Sequence, residues 1–222
     1  MTSYVGVVGR RNQIGNVGRF DLDAIEAVAR SLDWRSSGRL VWPTSGLMSN
    51  LPIQRRIDEA VGRRRIEALP IAFGAVATNV LDGSRVLLRA GATGAAVGAS
   101  SAIPVVFEPV RVGTRDLIDG SLTEPVPVDA AREIGAGFVI AIDVAYRPHD
   151  ERPGGITDMA FQMMHILVNT LIEEQIRRAD FAIRLDVHRL MHGKWDASML
   201  IDEGARAVRE AWPRLRLKLG RT

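Results

Sequence analysis

The sequence predicts an α/β fold, and three observations carry that expectation. Apolar runs of strand length alternate with amphipathic helical stretches along the chain. Phe138 to Val144 (FVIAIDV) is an unbroken apolar run, the pattern of a parallel strand covered on both faces. Ala92 to Ser101 is rich in alanine and glycine, which suits a helix lying close against something flat. Together they predict a single three-layer α/β/α domain, 1–222, with a mainly parallel sheet. The 222 residues suffice to bury about 70–75% of the unfolded surface.

The elements follow in order. A helix is expected from Asp21 to Leu32, where Ile25, Val28, Ala29 and Leu32 share one face behind an acidic start. A loop holding Trp34, Trp42, Pro43 and Gly46 leads to a second helix, about Leu51 to Val61, with Pro52 in its first turn and Gly62 at its end. Ile71 to Thr78 reads as a buried strand, and Leu81-Asp82-Gly83 turns it into a second strand, Ser84 to Leu88. Pro104 stops the Ala/Gly helix, and Val105 to Phe107 is extended. Val128 to Ile134 is a short helix closed by Gly135. After the Pro153-Gly154-Gly155 loop, Asp158 to Arg178 is a long helix on which Met159, Met163, Met164, Leu167 and Leu171 read as a core stripe. Phe181 to Leu185 is the last strand and Ser198 to Leu215 the closing helix.

Composition excludes several function classes. There is no cysteine, so disulfides, zinc–thiolate sites and cysteine nucleophiles are absent. The net charge is +3, and the basic residues are arginines apart from Lys194 and Lys218. Arginines spread evenly describe a solvated surface and not a nucleic-acid stripe, with Arg63-Arg64-Arg65 as the one run suited to an anionic membrane. No apolar run reaches the roughly 18 residues of a membrane span, and the N-terminal residues lack a signal-peptide pattern. A cytoplasmic protein, in peripheral contact with membrane at most, is the expectation.

The chemistry centres on residues 100–127, SSAIPVVFEPVRVGTRDLIDGSLTEPVP. Asp119 stands on a D-G-S turn straight after Leu117-Ile118. A carboxylate at a strand end has a rigid support, and Gly120 beside it has no side chain to block a ligand. Ser121 completes the turn. That arrangement suits a general base, while spacing alone favours a turn aspartate that accepts backbone N–H groups.

Several segments resemble the bacterial patatin-like phospholipases, including the subgroup related to neuropathy target esterase. They are AIEAVARSLDW, PTSGLMS, LPIAFGAVATNVLDGSRVLLRAG, ASSAIPVVFEPV, LIDGSLTEPVPVDAAREIGAGFVIAIDV and EGARAVREAWPRL, in the family's order from about residue 23 to 218. The resemblance implies lipid acyl hydrolysis by a Ser–Asp dyad without histidine, metal or cofactor. It transfers the base role to Asp119, with Gly120 beside it; Ser121 replaces the family's usual Gly or Ala. It transfers no nucleophile, because the chain contains no G-x-S-x-G and no Gly-rich oxyanion loop. Residues 2–9 (TSYVGVVG) read like the start of the helix after the nucleophile elbow. The expectation is therefore a domain whose first strands and serine lie upstream, with exposed sheet edges that would favour a homo-oligomer or partner. The alternative is an inactive homologue acting as a binding or regulatory module.

Other constellations are weaker. Ser45, Ser100 and Ser101 lack an elbow's flanking glycines, and read as a loop hydroxyl and helix-end caps. Gly6-x-x-Gly9 is an incomplete dinucleotide fingerprint. His188 and His192 have i,i+4 spacing but no third ligand nearby, so no metal is expected.

Overall fold

The computed structural model describes residues 45–145, 152–185 and 197–220, with the short strands at 5–7 and 39–40. The expected helix at 21–32 and the His188–His192 pair lie outside the described residues.

The strands are β1 (Val5–Val7), β2 (Arg39–Leu40), β3 (Gly46–Ser49), β4 (Phe73–Asn79), β5 (Arg85–Leu88), β6 (Val105–Phe107), β7 (Val110–Val112), β8 (Arg115–Asp119), β9 (Ile140–Asp143) and β10 (Phe181–Arg184). The helices are α1 (Leu51–Ala60), α2 (Thr93–Ser100), α3 (Val128–Glu133), α4 (Ile156–Ile176) and α5 (Ala197–Leu219). The chain is α/β, as its pattern predicts.

Strand direction is more mixed than a mainly parallel sheet. β9 pairs with β10, and β3 with β6, in parallel. The five-stranded sheet is antiparallel, with β4 between β1 and β8, β7 beside β8, and β5 also joined to β4. Short connections dictate two of these pairings, β4–β5 and β7–β8. The Asp82-Gly83 turn, with Gly83 at φ 68°, and the Gly113 turn, at φ 61°, each return the chain beside the strand it left. Val5–Val7 is a strand against β4 and not a helix start, and Gly46 lies in β3 and not in a loop. Gly46 has a packing reason: a Cβ there would stand 2.3 Å from the Glu108 nitrogen.

β4 is the central strand, buried from Gly74 to Asn79. Its apolar side chains join those of β5, α2, β7 and β8 in one cluster, with Phe161 and Met164 of α4 packed against it. A second cluster gathers α3, Val139, Ala141, Ile172 and Ile176 on one face of the β9–β10 pair. On the other face Phe181 and Ile183 meet Ala207 and Ala211 of α5. Helices thus lie on both sides of that pair, although Ile140 and Ile142 stay 41% and 46% exposed, so β9 is only partly covered.

The Ala/Gly helix α2 lies against the five-stranded sheet as expected, with Ala96 and Ala99 in the core cluster, but its glycines face a helix. Gly94 and Gly98 admit α1: a Cβ on Gly94 would lie 2.1 Å from the Gln54 carbonyl oxygen. Gly94 N–H donates to Asp58 Oδ1 at 2.7 Å, and buried Asn50 donates to the Gly98 carbonyl at 2.7 Å.

The methionine stripe is corrected. Met164 faces the core, but Met159, Met163 and Leu167 are exposed. The core face of α4 is set by Phe161, Met164, Val168, Ile172 and Ile176. These lie on the opposite side of the helix at about 100° per residue.

Candidate active site

Asp119 ends β8, where it is 2% exposed and stands opposite Ala77 of β4. Its backbone is held from two further directions. The N–H donates to the Ala102 carbonyl at 2.9 Å, and the Thr78 hydroxyl donates to its carbonyl at 2.9 Å. The side chain caps the 3₁₀ turn Gly120–Leu122, with Oδ1 accepting the Ser121 N–H at 2.8 Å. This is the turn-aspartate geometry that spacing alone favours. It also fixes the carboxylate's orientation, as a general base requires.

Gly120 plays a different part from the one its sequence context suggests. A Cβ there would stand 2.1 Å from the Val76 carbonyl oxygen. Glycine is needed so that the turn can lie against β4, whatever ligand approaches.

The loop after the turn is pinned by residues that sequence reasoning missed. Gln175 of α4 is buried; its Oε1 accepts the Val126 N–H at 2.9 Å and its Nε2 donates to the Thr123 carbonyl at 3.3 Å. Thr123 and Thr78 share a hydroxyl contact of 3.1 Å. Buried Glu124 pairs with Arg85 of β5, and its Oε1 accepts the Ala130 N–H at 3.0 Å. The one signal for Gln175 is a polar residue on the apolar face it shares with Val168, Ile172 and Ile176.

Three separated segments therefore meet at Asp119: V-A-T-N through Thr78 and S-A-I-P through Ala102 hold its backbone, and the D-G-S turn holds its carboxylate, while E-P-V-P is anchored beside them by Gln175 and Arg85. The other serines stand as their bland readings describe. Ser45 is exposed in a bend, and the Ser101 hydroxyl donates back to the Val97 carbonyl at 2.8 Å at the end of α2. A cleft of about 430 Å³ lined by Ile66, Phe73, Arg89 and Glu133 is not part of this constellation. Phe73 is four residues along β4 from Ala77, about 13 Å from the Asp119 end.

Residues 11–132, more than half of the chain, match the family model for patatin-like phospholipase. The chain belongs to that family. Among its relatives are uncharacterized NTE family proteins of Mycobacterium bovis and Mycobacterium tuberculosis, each 36% identical over 126 residues. That match covers 55% of this chain and 35% of each relative, so it spans about a third of their length. The lysophospholipase NTE1 of Debaryomyces hansenii is 25% identical over 111 residues, which is 50% of this chain and 7% of that protein. The patatin-like match ends inside α3, so it contains β4, the S-A-I-P segment and the Asp119 turn. Among the described residues, no helix is long and apolar enough to cross a membrane.

Proposed function

We propose that this chain carries the base half of a Ser–Asp dyad in a lipid acyl hydrolase, an esterase or lysophospholipase, with Asp119 as the base. One patatin-like domain occupying 1–222 is part of the same reading. The observation that supports it most is the burial of Asp119, its backbone tied to β4 and to Ala102 after α2 and its carboxylate to the following turn, inside the family match.

In the proposed reaction a serine Oγ attacks the ester carbonyl while its proton passes to the Asp119 carboxylate. The tetrahedral intermediate collapses to an acyl-serine, and the leaving alcohol takes the proton from Asp119. Water then attacks the acyl-serine, gives its proton to Asp119, and the serine recovers it as the fatty acid leaves. Ser121 N–H keeps Oδ1 in place through both halves.

The test uses a polypeptide that joins this chain to a G-x-S-x-G segment. It is expected to react with a fluorophosphonate probe and to hydrolyse a lysophospholipid. Asp119→Asn should lower kcat by about 10²–10⁴, the range of a lost general base. Undiminished turnover by that variant would remove Asp119 from the reaction. A probe-silent wild type would leave the inactive binding module as the better reading.

A further inference from the structure

Helix α4 is apolar on both sides. Its inner face packs on the core, while Ile156, Met159, Met163, Ile166 and Leu167 form an outer stripe with exposures of 91, 50, 58, 57 and 67%. Their i, i+3, i+7 and i+10/i+11 spacing keeps them on one face, opposite the core residues. A helix that is hydrophobic all round is a helix whose outer side meets something apolar.

Charge and size together identify the partner. From 153 to 176 there is no Lys or Arg, and between Asp158 and Glu173 the only titratable group is His165. Burial lowers the pKa of His165, which keeps that stretch uncharged at neutral pH. An anionic surface would gain nothing from such a face. The stripe runs 11 residues, about 17 Å. A stable dimer needs roughly 20–30 residues a side, which five side chains do not approach. One helical face is enough to seat in the boundary between headgroups and acyl chains, and methionines adapt to a fluid layer.

We propose that the outer face of α4 docks this protein onto the acyl layer of a zwitterionic phospholipid surface. The nature of that surface rests on the lipid-hydrolase reading above. The same helix carries Gln175, about 12 Å further along its axis than Leu167. Its amide holds residues 123 and 126, so docking sets the Asp119 turn at a fixed offset from the lipid.

The chain has no cysteine, so a single Met163→Cys variant can carry an environment-sensitive dye. With vesicles of ether-linked phosphatidylcholine, which offer no carboxylic ester to cleave, we expect a blue shift and co-flotation that withstand 0.5 M salt, where the Debye length is only about 4 Å. The double variant Met163→Glu/Leu167→Glu should lose vesicle partition by about 100-fold or more, since each buried apolar side chain contributes roughly tenfold or better. Its circular dichroism and melting point should match the wild type, because both positions are exposed. Reversing Arg63, Arg64 and Arg65 to Glu should leave partition unchanged.

Three results would overturn the proposal. The first is no partition by the wild type. The second is partition that needs anionic lipid or Arg63–Arg65. The third is a wild-type dimer that the stripe variant converts to monomer, which would mean that a second copy covers the face. Absent partition with ester hydrolysis intact would sink docking alone. Partition without hydrolysis by the serine-containing polypeptide would sink only the hydrolase reading.

Discussion

At Gly120 and Asp119 the backbone and the chemistry constrain each other. The 3₁₀ turn lies so close to β4 that Gly120→Ala would drive a methyl to 2.1 Å from the Val76 carbonyl oxygen. The turn would have to lift, and Ser121 N–H would leave Asp119 Oδ1 with it. We expect a loss of about 2–3 kcal/mol in urea unfolding, the upper part of the overpacking range, and a fall in kcat of the serine-containing polypeptide beyond what stability explains. A Gly120→Ala protein that melts normally would show that the turn has room the packing denies it. Asp119 itself was legible in the sequence, because D-G after an apolar run is a local signal. Its supports were not: Gln175 lies 49 residues from Val126 and 52 from Thr123, and Thr78 lies 41 from Asp119. No spacing rule reaches that far.

Elements show the same division between local and distant causes. The D-G hairpin, α1 with Pro52 in its first turn, and α2 were all readable, since each is coded by neighbours in sequence. What fails is the choice of face: the Met159/Met163/Leu167 stripe looks as core-like as the Phe161/Val168/Ile172 stripe until β4 and β9 take up one of them. Two element contacts allow sharp tests. Replacing a helical glycine by alanine ordinarily stabilises by about 1 kcal/mol. Gly94→Ala should do the reverse, losing about 1–2 kcal/mol, because the methyl meets the backbone of α1 at Gln54. A higher melting point in that variant would mean that α1 and α2 part easily. The second contact is the Arg85–Glu124 pair, which ties β5 to the start of α3, with side-chain exposures of 28% and 3%. Arg85→Ala strands a buried carboxylate and should cost about 3 kcal/mol. Arg85→Ala with Glu124→Leu should recover part of that loss in a double-mutant cycle; additive losses would argue against the pair.

Across the whole molecule, proton binding should set the direction in which stability changes with pH. Among the described residues folding lowers the pKa of four carboxylates, one of them Glu203 through the Arg206 side chain. Glu67 is lowered to about 2, chiefly by the Arg65 side chain and then by backbone N–H groups including that of Gly91. Asp82 is lowered by the Ser84 hydroxyl and N–H. At Asp180 burial pushes the other way, but the Val139 N–H at 2.7 Å and the Arg132 guanidinium at 2.5 Å outweigh it. Each group binds a proton more readily in the unfolded chain. Its contribution is complete above the ordinary carboxylate range and is lost as pH falls through its folded value. His165 adds to the same trend at higher pH, since burial lowers its pKa from about 6.5 and makes protonation oppose folding. The urea midpoint should therefore begin to fall as pH drops below about 6.5, and fall more steeply from about 4.5 toward 2. Glu67→Gln should flatten the lower limb without moving the upper one, because Glu67 and His165 titrate in separate windows. A midpoint that rises between pH 7 and 5 would contradict the His165 environment. A lower limb unchanged in Glu67→Gln would show that its tether to Arg65 and Gly91 is not held in solution.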